Sequence, residues 1–170
     1  NKKEVQISKT SLDLTDYVPA TFGNVTLSYT TDGEWVFPLS AWDRKHKLNP
    51  TDGTIVVTKK HNPIKRHIVI DEAFAFFVGL WIGDGHVIMS TDLAKTKRFV
   101  RGIGITFHKN AVDLIEKIEK YVIETFGVEP TITKPNSSNT VSVLINSHII
   151  GNMFECRFGQ GFNHKRLPNY

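Results

Sequence analysis

The hydrophobic positions along this chain change period near residue 70. Before it, apolar and polar residues alternate in short runs. Val25, Leu27 and Tyr29 are followed by the turn Thr31-Asp32-Gly33 and then by Trp35, Phe37 and Leu39, which predicts a β-hairpin. A second turn, Asp52-Gly53, precedes a predicted strand over 54–58. From Asp71 the pattern becomes helical: Asp71 is a natural N-cap for an apolar helix running from Ala73 to Gly83. Strands are predicted at Val87–Ser90 and Phe99–His108, and an amphipathic helix over 110–126 with Leu114, Ile115, Ile118, Tyr121, Val122 and Phe126 on one side. Gly127 closes that helix as a C-cap. Strands at Thr131–Lys134 and Thr140–Asn146 follow, then a helix from about Ser147 to Phe158, where Gly159 and Gly161 break it. The fold class is therefore α+β, a β-rich region over 1–67 followed by helix, strand, strand, helix, strand, strand, helix over 68–170.

The first helix is apolar nearly all round, so it is expected to be buried on every side or to sit in an interface. Ala75, Gly79 and Gly83 recur every fourth residue, and glycine inside a helix costs about 1 kcal/mol relative to alanine. Two on one face point to close approach by a second helix. The helix ends at Gly83-Asp84-Gly85, where an acid faces the negative end of the helix dipole. From the residues alone, Asp84 is either a turn residue of an Asp-Gly pair or a ligand for a cation such as Mg²⁺.

Composition narrows the function classes. The 170 residues carry 21 Lys+Arg against 17 Asp+Glu, a formal charge of +4, with 40% hydrophobic and 22% charged residues. These values fit a globular chain and exclude wholesale disorder. No apolar run reaches the ~18 residues of a membrane span. A lone cysteine, Cys156, excludes an intrachain disulfide framework and a Cys-cluster metal site; an intracellular protein with Cys156 as a packing residue is expected. The chain opens on Asn1, which gives the expectation of a trimmed start. The charge is unevenly spread: residues 86–109 hold five Lys/Arg against one acid, whereas residues 110–126 hold four acids against two bases. Residues 1–67 have ten bases to seven acids, and the basic connector of Lys59, Lys60, Lys65 and Arg66 is either a solvated linker or a DNA-contacting extension.

The string Phe77-Val78-Gly79-Leu80-Trp81-Ile82-Gly83-Asp84-Gly85 resembles the LAGLIDADG motif of homing endonucleases, matching at Gly79, Leu80, Asp84 and Gly85 with a small residue at Gly83. The element order of residues 68–170 is similar to that family's αββαββα repeat. Lys165-Arg166-Leu167-Pro168 resembles the Lys-Arg-Ile-Pro block of intein-type members. The resemblance implies a curved four-stranded antiparallel sheet lying in the major groove of double-stranded DNA, above a metal-dependent active site. It implies Asp84 as metal ligand and catalytic acid residue, the Gly83 carbonyl as a second oxygen for Mg²⁺ (or Mn²⁺), and Lys165 as a catalytic cation. Ala75, Gly79 and Gly83 would pack against a second such helix, from a homodimer partner or from a second repeat; a monomeric half would be inactive alone. Lys95, Lys97 and Arg98, placed in the first strand–strand connection, are expected at DNA phosphates, with Lys109 in the same basic region; Arg101, Thr131, Thr133 and Ser142 are expected at bases or phosphates. The bland alternative for each is a solvated strand face, and for Lys165 a solvated linker.

Within the resemblance, intein, intron-mobility and free-standing origins all remain open. Thr58-Lys59-Lys60-His61 has the Thr-X-X-His spacing of a splicing block, a two-residue match without a nucleophile at the chain start. A non-catalytic DNA-binding regulator or an RNA-splicing maturase on the same fold is the alternative to a DNA-cleaving hydrolase. The seven histidines show no zinc-protease spacing. Trp35, Trp42 and Phe37 are expected to form the core of the first region.

Overall fold

A computed structural model describes residues 11–17, 21–22, 25–26, 28–29, 35–36, 49–50, 54–56, 64–92, 97–135, 138–161 and 164–167, with side chains described at 11–14, 17, 64–90, 99–135, 138–161 and 164–167. Its central sheet has four antiparallel strands: β3 (Gly85–Asp92), β4 (Lys97–His108), β5 (Thr131–Thr133) and β6 (Thr140–Ile145), in the order β3-β4-β6-β5. Helix α1 (Glu72–Asp84) precedes β3, α2 (Val112–Phe126) joins the two strand pairs, and α3 (His148–Phe158) follows β6. The expected αββαββα order is thus observed, with the α+β class.

Local chemistry marks several of the helix ends, although α2 starts from Ala111 without a side-chain cap. The Asp71 carboxylate accepts the backbone N–H of Phe74 at 2.8 Å, capping α1. Gly127 takes a left-handed φ of 74° to close α2, the conformation that glycine adopts without a Cβ clash. The Ser147 hydroxyl accepts from the Ile150 N–H at 3.4 Å at the start of α3. Strand periodicity of two puts Ile103, Ile105 and Phe107 of β4 and Val141, Val143 and Ile145 of β6 on the helix side, all buried. Phe77 on α1 stacks on Tyr121 of α2 at 5.1 Å between centroids and meets Phe154 of α3 edge-on at 5.7 Å, so α1 lies between the other two helices.

Of the two expectations for α1, burial on every side is not met within the chain: Phe74, Phe77, Val78 and Trp81 face the core, while Ala75, Phe76, Gly79 and Gly83 are exposed, which leaves the interface alternative. Two further features depart from the sequence expectation. Strand β4 starts earlier than expected, so Lys97 and Arg98 lie within it, paired with Asp92 and Thr91, rather than in a connection. Cys156 is exposed on α3 instead of packed, because the helix turns its Ile150, Met153 and Phe154 side inward.

The core also crosses the boundary drawn between residues 67 and 68. Strands β1 (Ser11–Asp13) and β2 (His67–Val69) pair antiparallel, with Leu12 opposite Ile68. Leu12, Leu14, Ile64 and Ile68 belong to the same buried cluster as the three helices. Asp13 and Arg66 lock this strap through a forked pair, with Nε to Oδ2 at 3.1 Å and a second guanidinium nitrogen to Oδ2 at 2.9 Å. Asn152 Nδ2 donates to the Tyr17 carbonyl at 3.2 Å, and Arg157 holds the Tyr17 hydroxyl, tying the strap to α3. Among the remaining described segments, Ser28–Tyr29 pairs with Trp35–Val36, as the hairpin pattern predicts, and Thr54–Val56 pairs with Asn49–Pro50 and Ile64–Lys65. The Trp42, Phe37 and Thr58–His61 expectations fall outside the described residues. Among those residues no helix is long and apolar enough to cross a membrane.

Candidate active site at the end of the first helix

The site is built from the last turn of α1 outward. Asp84 is its final residue, and Gly85 closes the helix by bonding its N–H to the Trp81 carbonyl while entering β3 in extended conformation. A Cβ on residue 85 would sit 2.3 Å from Trp81 Cδ1, so only glycine lets the chain turn this closely under the indole. The helix therefore passes into the sheet without a loop, and the position of Asp84 is fixed by both.

Lys165 reaches the same point from the far end of the repeat. After α3, Gly159 takes φ +74°, and Arg166 returns an N–H to the Phe158 carbonyl at 2.8 Å, folding the segment back. Lys165 Nζ then donates to the carbonyls of Trp81 at 2.9 Å and Ile82 at 3.0 Å and lies 5.0 Å from the Trp81 ring centroid. The ammonium occupies the negative end of the helix dipole, the place where Asp84 alone would be unfavourable. Burial lowers the Lys165 ammonium below its ordinary value, and the negative charge of Asp84 pulls it back part of the way. Two of its three hydrogens are committed to carbonyls, leaving one for a ligand.

His86, two residues beyond Asp84, joins this corner. It pairs across the sheet with Gly104, whose missing side chain makes room for the imidazole. Burial first, and then the positive charge of Lys165, hold that imidazole below the usual histidine value. Sequence reasoning passed over His86; the local signal was its place two positions after the acid, since its pairing with Gly104 depends on strand register.

The outer face of the sheet extends from this corner. Thr106, Ser142 and Thr133 stand in one cross-strand row, with Thr106 Oγ1 and Ser142 Oγ 3.1 Å apart and Thr133 Oγ1 donating to the Ser142 carbonyl at 3.4 Å. Gly104, Leu144 and Thr131 form the next row, where Asn146 Nδ2 donates to Thr131 Oγ1 at 3.2 Å. Arg101 is exposed at a β-bulge: Ile88 pairs with Gly102 and Met89 with Val100, so Arg101 is the extra residue. The bulge reverses the alternation, which lets Val100 pack on Gly151 with only 8% exposure.

The structure thus brings Asp84, Gly83 and Lys165 to one corner and Thr131, Thr133 and Ser142 to one face. Lys109 stands elsewhere, bordering a hollow beside Glu116 and Glu119 of α2. Lys95 lies outside the described residues, and the side chains of Lys97 and Arg98 do too. At Gly79 and Gly83 a Cβ would meet nothing within 4 Å, so the small-residue stripe is uncovered among the described residues. Those residues include no cluster of three or more His, Cys, Asp or Glu, so no such group surrounds Asp84 among them. A family model described as a LAGLIDADG-like domain matches residues 71–159, more than half of the chain, and no curated protein matches it.

Proposed function

This chain belongs to the LAGLIDADG family, and on that premise we propose that it is a site-specific endonuclease hydrolysing phosphodiester bonds of a long double-stranded DNA target with divalent metal. The observation that supports this reading best is the meeting of Asp84 and Lys165 at the end of α1, although the two are far apart in sequence. Beside them is a face of the four-stranded sheet carrying hydroxyl groups and an imidazole, and the major groove is wide enough to admit paired β-strands.

Asp84 and the Gly83 carbonyl would hold Mg²⁺ or Mn²⁺, since both offer hard oxygen donors. A bound ion supplies an activated water and stabilisation of charge on the leaving oxygen. Lys165 is held by two carbonyls with one hydrogen free, positioned to stabilise the charge that develops on a phosphate oxygen. One carboxylate does not fill such a site. The exposed stripe of Ala75, Gly79 and Gly83 supports completion by a second α1, from a homodimer partner or from a second repeat.

A second reading, a DNA-binding regulator or RNA-splicing maturase, draws support from Lys165 itself, because its hydrogen bonds also suit a purely structural helix cap. Incubating the protein with a randomised duplex library and Mg²⁺, beside Asp84→Asn, separates the two. Cleavage that falls about 10²-fold or more in the variant, the scale set by losing one electrostatic stabiliser, supports the endonuclease. Binding by both proteins without cleavage by either sinks it.

A further inference from the structure

We propose that His86 is a phosphate-contacting residue, giving DNA a second nitrogen donor beside Lys165 at the corner where α1 enters the sheet. The inference rests on the DNA-binding part of the reading above. Gly85 has no side chain and the helix runs straight into β3, so His86 is the first side chain after Asp84. Strand alternation turns Val87 against the core and His86 onto the outer face, where its ring is partly covered by the neighbouring strand yet open to solvent. Its ring then fills the place that a side chain of residue 104 would take. A Cβ built on Gly104 lies 2.6 Å from His86 Cε1, 2.7 Å from Nε2 and 2.9 Å from Leu144 Cδ2.

The imidazole lies over the Gly104 backbone with the Leu144 side chain beside it, open to a ligand on the outer side. Among the described residues neither ring nitrogen has a hydrogen-bond partner within the protein. A neutral imidazole always carries one N–H donor, and a tautomeric switch lets either nitrogen present it. With the one uncommitted hydrogen of Lys165, this makes two donors at one end of a polar sheet face. That matches a phosphodiester, which has two non-bridging oxygens to satisfy. A base edge would instead be met by the hydroxyl rows of Thr106, Ser142 and Thr133, further along the face.

The test uses the full chain and separates binding from cleavage. The tightest duplex is recovered from a randomised library in EDTA, and a set of copies is made with one phosphate at a time replaced by a neutral methylphosphonate. Wild type should bind one of these copies about ten-fold or more weakly, the scale of one hydrogen bond to a charged group. His86→Ala should bind the unmodified duplex weakly by a similar factor and lose no more at that phosphate, while His86→Gln, which keeps an N–H, recovers part of the affinity. Melting midpoints of both variants guard against unfolding, and if His86→Ala does not fold the decision passes to His86→Gln, expected to show a weakened response at that one phosphate. Wild-type affinity in His86→Ala, or an unchanged methylphosphonate profile in either folded variant, overturns the proposal. So does failure of wild type to bind any duplex, which also removes both DNA readings. Binding with the expected His86 profile but no cleavage in Mg²⁺ supports the proposal while removing only the endonuclease reading.

Discussion

Gly102 and Gly104 lie two residues apart on one strand, yet a methyl group added to each meets different neighbours. At Gly102 the new Cβ would lie 2.0 Å from the Ile145 carbonyl oxygen, which is backbone held in the sheet. At Gly104 it would meet the ends of the His86 and Leu144 side chains, which can turn away. Gly102→Ala should therefore cost about 3 kcal/mol, at the upper end of overpacking effects, and Gly104→Ala less than about 1 kcal/mol, read from urea unfolding midpoints. Gly104→Ala should nevertheless weaken DNA binding if the imidazole matters there. His86 also gives stability a pH dependence. Its folded-state pKa lies below the unfolded value, so on acidification the unfolded chain takes up the proton first. The stability carried by neutral His86 is whole above the ordinary histidine range and is lost as pH falls from there through the folded value. His86→Gln should flatten that part of a midpoint-against-pH profile measured from about pH 7.5 to 5. Neither glycine could be assigned its partner from sequence, because strand register is set by long-range pairing and by a bulge that no local pattern marks.

At the scale of elements, the helix ends rank themselves. The 2.8 Å cap at Asp71 is shorter than the 3.4 Å cap at Ser147, so Asp71→Ala should lose about 1 kcal/mol and Ser147→Ala less. Lys165 serves α1 in the same way at its other end. Lys165→Met should lower the unfolding midpoint as well as any cleavage, since it removes two hydrogen bonds and a favourable charge at a helix terminus. A loss of cleavage with an unchanged midpoint would contradict the capping role. Much of this level was legible beforehand. The Asp71 cap, the apolar stripe of α2, the Gly127 stop and the alternation of β6 are local signals, and each element formed where its signal stood. The docking of Lys165 on α1 was not legible from spacing, because a Lys-Arg-X-Pro segment carries no periodicity. The bulge at Arg101 was hidden for a related reason: an extra residue looks like any other until the partner strand is known.

For the whole molecule, the exposed stripe on α1 predicts opposite effects on folding and on assembly. Among the described residues nothing lies within 4 Å of a Cβ at Gly79, so Gly79→Ala should raise the stability of the single chain by about 0.5–1 kcal/mol. If a second α1 packs there, the same change should reduce the assembled fraction by sedimentation, with or without DNA. A variant that gains stability and keeps its mass would place the partner helix elsewhere. The largest gap between sequence and structure also belongs to this scale. Leu12 and Leu14 sit some fifty residues from β2 in the chain, and no motif joins them to it, yet both are in the common core. Leu14, with 0% exposure, should cost about 2–5 kcal/mol as Leu14→Ala. This strap has a consequence for modularity. Residues 71–159 are what the family model recognises, but that stretch omits Leu12, Leu14, Ile64, Ile68 and the Lys165 cap. A gene fusion cut to those limits would transplant a unit of recognition that is not a unit of folding, with apolar surface newly open to aggregation. Shuffling this repeat into another host requires carrying both of its distant flanks along.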